Sequence, residues 1–546
     1  MPLSLTYPGV YVEEVPSGVR TITGVATSIT AFLGRARRGP LNRPVTVNSF
    51  ADFERVFGGL WSESTLSYAV RDFYLNGGSS AIIVRLFNPT EDGPNRVTAA
   101  GGGLSLEAKY EGSWATALEV TAHAPDDQLA GELAEDLKVE PDQIFNLSVN
   151  DRTTGIREVF NTVTIVESRR RIDRVLDNQS ALVRVPRDAD GVPELPAAFA
   201  IPTPDAPLDF TLTPDPEVAD SNADNLDGEV LSADNYLVPE GDVPDHRTDY
   251  VGSTSRKQGL FALDDADLIN LLCIPPFSFD VDLQPAIWSA AGAYAATRRA
   301  MLLVDPPEDW TNVESARDGL SSISGELGPN KKNAALFFPR LRKANPIRGN
   351  QVEDFAPCGT VAGVFARIDG QRGVWKAPAG LEAGLVGVPA LSVLLSDDEN
   401  GQLNPLGMNC LRMRPAAGPV VWGARTLAGH DLLASEWKYI PVRRVALFIE
   451  ESLYRGTQWA VFEPNDEPLW AELRLNIGAF MQNLFRQGAF QGRTPREAYF
   501  VKCDKETTTQ NDVNLGVVNV LVGFAPLKPA EFVVIRLQQL AGQIQS

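Results

Sequence analysis

The sequence predicts a multidomain α/β protein: a mainly parallel α/β sheet domain with an inserted β-rich module, then a C-terminal α+β domain, with extended arms at both ends. Short apolar strands alternate with helical stretches from about residue 257 to 339, which is typical of βαβ units. Residues 19–86 show the same alternation of strand-like and helical stretches, whereas residues 95–250 are turn-rich and weakly periodic. A chain of 546 residues is too long to fold around a single hydrophobic core, so we expect two to four domains.

Local patterns predict each element of the sheet domain. In its first part we expect a strand at residues 21–32, helices in SFADFERVFG and STLSYAVRDFYLNGG, and a buried strand in AIIVRLF. The pair Gly77-Gly78 predicts the end of the second helix. In its second part the expected strands are LINLLCIPP, MLLVDPP and NAALFFPRL, and the helices are PAIWSAAGAYAATRRA and NVESARDGLSSISG.

The C-terminal domain combines two helices with strands. The first helix is expected to open at Pro441 and to close before Gly456. The second follows Asp466 as its cap, carries Pro468 in its first turn and stops at Gly488. The expected strands are GPVVWGARTL, AYFVKC, LGVVNVLVGF and EFVVIRLQQL.

These elements predict six segments. They are an N-terminal arm strand (1–18), the first part of the α/β domain (19–94), an inserted outer surface module (95–250), the second part of the α/β domain (251–415), the C-terminal α+β domain (416–526) and a C-terminal arm strand (527–546).

Composition excludes several classes of function. A formal net charge of −21 disfavours a protein that binds nucleic acid or an anionic membrane by neutralising phosphates. The four cysteines are far apart and form no C-x-x-C pair, which indicates free buried thiols in a reducing compartment. No apolar run is long enough to span a membrane and the first residues do not resemble a signal peptide, so we expect synthesis in the cytosol.

Motifs for catalysis are scarce. The three histidines have no metal-ligand spacing, and neither a G-x-S-x-G elbow nor a phosphate-binding loop is present, so we expect no cofactor and no metal. Asp305 ends a predicted parallel strand, where α/β enzymes often place a carboxylate, although a rigid turn at Pro306-Pro307 is the simpler explanation. An α/β hydrolase using Asp305 or His430 remains the alternative function.

The stretch YPGVYVEEVPSG, at residues 7–18, predicts a strand without a partner. No tight turn folds it back on the next stretch, so its backbone groups need a sheet elsewhere. Its strand positions are Val10, Tyr11, Val12, Glu13 and Val15.

The two C-terminal helices carry candidate contact residues beside their apolar stripes. On the first helix Val442, Val445, Ala446, Ile449 and Leu453 form the expected core stripe. The opposite face carries Arg443, Arg444, Leu447 and Tyr454, which suits either a protein contact or plain exposure. On the second helix Arg474 and Arg486 are weaker contact candidates.

Many separate blocks, in one order, resemble the sheath proteins of contractile phage tails, R-type pyocins and extracellular contractile injection systems. The similar stretches include YPGVYVEEVPSG, ITGVATSITAFLGRARRGP, VAGVFARIDGQRGVWKAPAG, LNPLGMNCLRMRP, SEWKYIPVRRVALFIEESLYRGTQWAVFEPNDEPLW and AYFVKCDKETTTQNDVNLGVVNVLVGFAPLKPAEFVVIRLQQ. They cover most of residues 1–90 and 255–540, and the inserted module departs from the pattern apart from QSALVRV.

The resemblance implies a structural subunit and no enzyme. Such subunits form a helical array of stacked hexameric rings around an inner tube, and the array contracts to drive the tube through a target envelope without nucleotide hydrolysis. The implied partners are further copies of the chain, the tube protein, and baseplate and terminal cap proteins, with no nucleic acid and no direct membrane insertion. The implied location is the bacterial cytoplasm during assembly, and then a phage tail or tail-like particle.

The resemblance also implies roles for the arms and the contact residues. The terminal arms of sheath subunits complete a small sheet in neighbouring subunits. Here the N-terminal arm would use the strand positions given above, and the C-terminal arm Phe532, Val533, Val534 and Ile535. The candidates for facing the tube are Arg443, Arg444, Leu447, Tyr454, Arg474 and Arg486. A static self-assembling shell protein is a third possibility.

Overall fold

A computed structural model describes residues 20–88, 96–101, 103–125, 131, 134–188, 190–197, 199, 207–211, 226–227 and 257–536. The predicted N-terminal arm strand, including Val10, Tyr11, Val12, Glu13 and Val15, lies outside these residues.

The strands are β1 (Thr30–Gly34), β2 (Val45–Val47), β3 (Ala81–Arg85), β4 (Thr98–Gly101), β5 (Leu104–Ala108), β6 (Leu118–His123), β7 (Ile144–Asp151), β8 (Arg157–Thr164), β9 (Val183–Arg184), β10 (Leu208–Thr211), β11 (Leu271–Cys273), β12 (Met301–Val304), β13 (Ala334–Phe338), β14 (Leu341–Asn345), β15 (Gln351–Phe355), β16 (Ala390–Leu391), β17 (Asn409–Arg414), β18 (Gly418–Val421), β19 (Tyr499–Lys502) and β20 (Leu521–Phe524). The helices are α1 (Phe50–Phe57), α2 (Leu66–Leu75), α3 (Ile172–Gln179), α4 (Pro285–Thr297), α5 (Val313–Leu327), α6 (Cys358–Arg372), α7 (Asp397–Leu403), α8 (Ile440–Gly456), α9 (Glu467–Arg486), α10 (Pro495–Ala498) and α11 (Gln510–Asn514).

The largest sheet is rich in parallel pairs. Its strand order is β18-β17-β13-β12-β11-β1-β3-β2, and only the edge strands β18 and β2 pair antiparallel. Thr30 pairs with Leu271, so residues before and after the predicted insertion share one sheet. The expected strand at residues 21–32 is wrong for residues 21–29, because β1 begins only at Thr30.

Helices cover both faces of this sheet. Successive side chains of each strand point to opposite faces, and because they are apolar on both faces, both must be covered. Ala31 and Leu33 point into a core with Trp288 of α4 and Ile323 of α5. Phe32 points the other way, into a second core with helices α1, α2 and α6. The fold is therefore a mixed α/β fold with two apolar layers around a parallel-rich sheet.

Residues 96–211 contain antiparallel sheets with their own core. One sheet has the order β10-β6-β7-β8 and the other β4-β5-β9, and both pack around Trp114, Phe145 and Ile172. We call the described residues within 96–211 the inserted module.

Two buried arginines join the inserted module to the parallel sheet. The Arg38 guanidinium lies 3.2 Å from the Asp151 carboxylate, and both side chains are 3% exposed. Arg85, at the end of β3, donates hydrogen bonds to the main-chain oxygens of Ala36, Gly39 and Glu111 at 2.8–2.9 Å. Because breaking a buried ion pair leaves an uncompensated charge, these contacts hold the module firmly against the sheet.

The two long C-terminal helices begin and end within one or two residues of the predicted positions. Helix α8 starts at Ile440, one residue before Pro441, and the Asp466 side chain accepts a hydrogen bond from the first N–H of α9. The apolar stripe of α9 that the sequence predicts as core is buried, and consists of Trp470, Leu473, Ile477, Phe480, Met481 and Leu484. The predicted α8 stripe is buried as well, except for a partly exposed Leu453. In the described part of the chain no helix is both long enough and apolar enough to cross a membrane.

Candidate assembly surfaces

Helix α8 is buried on nearly all sides, which corrects part of the sequence-based expectation. Arg443, Arg444 and Leu447 are 7%, 4% and 5% exposed. The expectation that they lie on an open face is wrong, because the parallel sheet domain and residues 20–28 cover that side of the helix. In this conformation none of the three is free to contact another protein.

The α8 arginines instead fasten the C-terminal domain to the sheet domain. Arg444 forms a two-point ion pair with Asp369 of α6, with N–O distances of 2.8 and 2.6 Å. Arg443 donates to the side-chain oxygen of Asn333 at 3.1 Å and lies 4.7 Å from the ring centre of Trp437. Burial lowers the pKa of Arg443, and Glu450 opposes that effect.

The remaining three candidates for tube contact are accessible to different degrees. Tyr454 is 53% exposed and its ring stacks under Arg299, with the guanidinium carbon 4.6 Å from the ring centre. Arg486 is exposed at the end of α9. Arg474 is partly covered, because it pairs with Glu467 at 2.6 Å and donates to the carbonyl of Cys503. Tyr454 and Arg486 are therefore the side chains of this set that are open to a partner.

Residues 20–28 lie along α8 rather than in a sheet. The Arg20 N–H donates to Asn476 at 3.0 Å, and the Val25 N–H donates to Ser452 at 3.2 Å. Ile22 is buried in the core that α8 and α9 share. Residues 20–28 therefore pack against the C-terminal domain, although more than 400 residues of sequence separate the two.

The stretch that follows β20 is anchored through Glu531 to Arg425 and Tyr439, which lie between β18 and α8. The Glu531 carboxylate accepts two hydrogen bonds from Arg425, at 2.7 and 2.6 Å, and a third from the Tyr439 hydroxyl at 3.2 Å. The Arg425 side chain is fully buried and also pairs with Asp431 at 3.0 Å. This anchor fixes where the C-terminal arm leaves the body of the subunit.

Four consecutive apolar side chains follow this anchor and have no cover within the described chain. Phe532, Val533, Val534 and Ile535 are 75–80% exposed. The expected strand is not formed at residues 531–536, and residues 537–546 lie outside the described part. We call residues 532–535 the C-terminal strip. An apolar run of this kind on a subunit surface is typical of a protein contact.

A small open sheet lies in the same domain. Within the described residues β19 and β20 pair antiparallel only with each other, so each has an edge without a strand. Unpaired strand edges are templates for another strand. Beside β20 an apolar groove of about 680 Å³ runs between α9 and the end of α8.

The residues considered for hydrolysis do not form an active site. Asp305 is buried, where one carboxylate oxygen accepts the Cys358 N–H at 2.7 Å and caps α6, and the other has no partner. Burial raises the pKa of Asp305 to about 7 and also raises the pKa values of the Cys273 and Cys358 thiols, so these sulfurs are poor nucleophiles.

His430 makes a local turn contact, in which its ring nitrogen accepts the Leu432 N–H at 3.1 Å. No hydrogen bond in the described chain joins it to a hydroxyl, thiol or carboxylate. Among these residues there is also no group of three or more His, Cys, Asp or Glu side chains arranged to hold a metal ion.

Comparisons with known proteins point to one family. Residues 434–539 match the model of the phage tail sheath C-terminal domain. The chain is 27% identical over 240 residues to a putative prophage major tail sheath protein of Pseudomonas aeruginosa, covering 40% of this chain and 59% of that one. It is 24% identical over 225 residues to the tail sheath protein of Vibrio phage KVP40, covering 40% of this chain and 32% of that one.

The fold comparison extends over nearly the whole chain. The structure of the anti-feeding prophage helical sheath in its contracted state matches with a TM-score of 0.55 and 21% identity, covering 98% of this chain and 100% of that one. The sequence alignments thus span less than two thirds of the curated relatives, whereas the fold similarity covers essentially both chains.

Proposed function

We propose that this chain, a relative of the contractile tail sheath proteins, is the structural subunit of a contractile sheath. The observation that carries the proposal is the C-terminal strip, which the Arg425–Glu531 ion pair holds at the surface with its apolar side chains uncovered. A subunit that works alone would gain by burying such a strip. A subunit of a lattice needs it to contact a neighbour.

The strip joins subunits by adding a strand to an open sheet. In each neighbour the pair β19–β20 offers an unpaired edge, and residues 7–18 of another copy supply a second added strand. Strand addition gives affinity through main-chain hydrogen bonds and register through alternating side chains. The segment between Pro526 and Glu531 then acts as the hinge when subunits rotate.

The array works by conformational change alone. Subunits stack as hexameric rings around an inner tube, and the extended array shortens when a trigger shifts its population toward the contracted state. Stored energy lies in differences between subunit interfaces, so no nucleotide is hydrolysed. The parallel-sheet domain and the inserted module lie outside, the C-terminal domain faces the tube, and baseplate and cap proteins close the ends.

Electron microscopy of the purified chain, with and without its tube protein, tests the proposal. We expect long hollow tubes, with two diameters when extended and contracted forms are both captured. Compact monomers at high concentration would contradict the proposal, and tubes of only one length and diameter would favour a static shell.

Two variants localise the contacts. Deletion of residues 1–18 and the substitution Val534→Asp should each give a folded chain that forms no tubes. Val534 is 78% exposed, so the substitution leaves the fold intact. Leu432→Asp is the matched control, because Leu432 is 89% exposed but lies outside the strip. Normal tube formation by Val534→Asp would rule out the strip as a lattice contact.

A further inference from the structure

The stretch that leads to the Arg425–Glu531 ion pair borders a large cavity. This cavity has a volume of about 1130 Å³ and lies among helix α7 and the residues that follow α6, β18 and α9. Residues 527–530 border it on one side, and we call them the C-terminal linker and the space the linker cavity. Much of the lining is apolar, and the volume is large enough for a small molecule.

The C-terminal linker is held at its two ends and not between them. Before it, the Ala525 carbonyl accepts the Gln491 N–H at 2.9 Å. After it, Glu531 is bound by Arg425. Within the described chain residues 527–530 make no main-chain hydrogen bond. The linker can therefore adjust to a molecule in the cavity without losing main-chain bonds.

Two tryptophan side chains line the linker cavity. Trp375 and Trp422 are both partly buried. A Cβ atom at Gly373 would lie 2.4 Å from the Trp375 ring, so this ring packs directly against the glycine. The Arg414 guanidinium carbon lies 4.0 Å from the ring centre of Trp422, a cation–π contact that fixes the second ring. Aromatic rings held in place beside open space favour a flat aromatic ligand, which can stack on them.

The unpaired charges at the linker cavity are positive. Both carboxylates that line it, Asp397 and Glu531, are paired with arginines. The Lys376 amine donates only to a main-chain carbonyl, and Lys528 is exposed. Neither lysine forms an ion pair within the described chain, whereas the third cation of the lining, Arg372, is paired with a glutamate. Two uncompensated positive charges favour a ligand that carries a negative charge.

We propose that the linker cavity binds a small aromatic anion, whose rings stack on Trp375 and Trp422 and whose acidic group lies at Lys376 and Lys528. Nucleotides and aromatic carboxylates share this chemistry. The negative charge of the whole chain repels anions at long range, so the site selects its ligand by short-range contacts to these four side chains.

A ligand at this site controls the C-terminal arm. Phe532, the first residue of the C-terminal strip, also lines the cavity, and the C-terminal linker joins the strip to β20. A bound molecule holds the linker in one position and thereby restrains the hinge at residues 526–531. In a lattice it would oppose subunit rotation and delay contraction. This last step rests on the proposed sheath function, whereas binding to the free subunit does not.

Two fluorescent dyes test the binding site in the full chain. Anilinonaphthalene sulfonate carries aromatic rings and a negative charge, and phenylnaphthylamine has the same rings without the charge. Fluorescence titrations give a dissociation constant for each dye. We expect the sulfonate to bind more tightly than the neutral dye, because only the sulfonate is attracted to the two lysines. Tighter binding of the neutral dye would overturn the proposal.

The variant Lys528→Glu tests the charge contact. Lys528 is exposed, so the substitution leaves the fold intact. We expect the dissociation constant of the sulfonate dye to rise about fivefold and that of the neutral dye to stay constant. Lys502→Glu, at an exposed lysine on β19, is the matched control and should bind both dyes like the native chain. Equal effects of the two substitutions on the sulfonate dye would overturn the proposal.

The variant Trp422→Leu tests the stacking contact, and both dyes should bind it more weakly. Trp459→Leu, at a partly buried tryptophan outside the linker cavity, is its control and should bind them normally. Melting temperatures show whether each variant is folded. Weaker binding by Trp459→Leu alone would contradict the assigned site.

Hydrogen–deuterium exchange locates the dye without any substitution. With the sulfonate dye at saturation, exchange should slow at residues 525–531 and stay constant at residues 516–522, which lie beside the other groove. Protection of residues 516–522 alone would place the dye in the groove beside β20 and overturn the proposal.

Competition separates the two sources of the ligand. Displacement of the dye by adenosine monophosphate identifies a nucleotide site, and displacement by indole acetate identifies a site for aromatic carboxylates. Displacement by neither compound at saturating concentration would overturn the proposed ligand class. Tube formation by the native chain without dye, seen by microscopy, reports on the sheath function separately.

Discussion

Arg425 and Glu531 form a two-point ion pair across 106 positions of the sequence, with N–O distances of 2.7 and 2.6 Å. The Arg425 side chain is fully buried and that of Glu531 is 14% exposed. Parallel N–H···O bonds of this kind fix direction as well as distance. The pair therefore sets the path along which the C-terminal strip leaves the subunit.

Substitution Glu531→Gln should loosen this anchor without unfolding the chain. Loss of a hydrogen bond to a charged group costs about 1.5–3 kcal/mol, which corresponds to roughly tenfold or more in local opening. Hydrogen–deuterium exchange should accelerate at residues 525–531 and stay constant in the parallel sheet. Glu472→Gln, an exposed position on α9, is the control. Exchange identical to that of the native chain would show that the pair does not hold the segment.

Substitution Arg444→Ala should destabilise the subunit itself. The Arg444 and Asp369 side chains are 4% and 3% exposed, and breaking a buried ion pair costs about 3–5 kcal/mol. We expect a lower melting temperature, with partial recovery in the double variant Arg444→Met with Asp369→Leu. Arg486→Ala should melt like the native chain. An unchanged melting temperature for Arg444→Ala would contradict a fastening role.

Substitution Arg486→Glu should weaken assembly on the tube protein while the subunit stays folded. Arg486 is exposed, so its charge is available to a partner. Cosedimentation with purified tubes should show the largest loss at low ionic strength, because salt screens exposed charges. Lys138→Glu, an exposed cation in the inserted module, is the control. Equal binding by both variants would remove Arg486 from the contact.

Asp305 should make subunit stability depend on pH. Its pKa is about 7 in the folded chain against an ordinary value of 3.8, because burial favours the neutral form. The folded state therefore holds the proton more tightly, and this contribution is complete below about pH 4 and lost as pH rises through 7. A shift of this size corresponds to about 4 kcal/mol.

The variant Asp305→Asn cannot lose this proton. Relative to the native chain it should gain melting temperature between pH 5 and pH 8, as measured by scanning calorimetry. Asp309→Asn, an exposed carboxylate nearby, should show no such trend. If both variants follow the native chain at every pH, Asp305 is ionised in the folded protein.

The sequence predicted elements where one local signal dominates. The apolar runs that became β11, β12 and β13 are short and continuous because both faces of the sheet are covered. The start of α9 followed from Asp466 and Pro468, whose effects are local. The β-branched residues within 21–29 favour a strand by local propensity, but this stretch lies along α8, where the Val25 N–H donates to the Ser452 hydroxyl.

The candidate contacts were harder to predict, because burial depends on distant residues. Arg443 and Arg444 follow the polar side of an amphipathic helix, and nothing local indicates that Asp369, 75 positions away, covers it. The Glu531 anchor has no sequence signal either, since Arg425 lies in an ordinary strand-like stretch. For residues 532–535 the sequence predicts a strand, and their role in a terminal arm is implied by the resemblance to sheath proteins.

The buried arginine contacts at the base of the inserted module have a practical consequence. Arg38 and Arg85 fix the module, while its β7–β8 turn ends in Gly155, where a side chain would meet no other atom within 4 Å. A peptide grafted into that turn would be held in position by the contacts between the inserted module and the parallel sheet. A longer turn could thus be added there, by evolution or by engineering, without disturbing the contacts that Arg38 and Arg85 make.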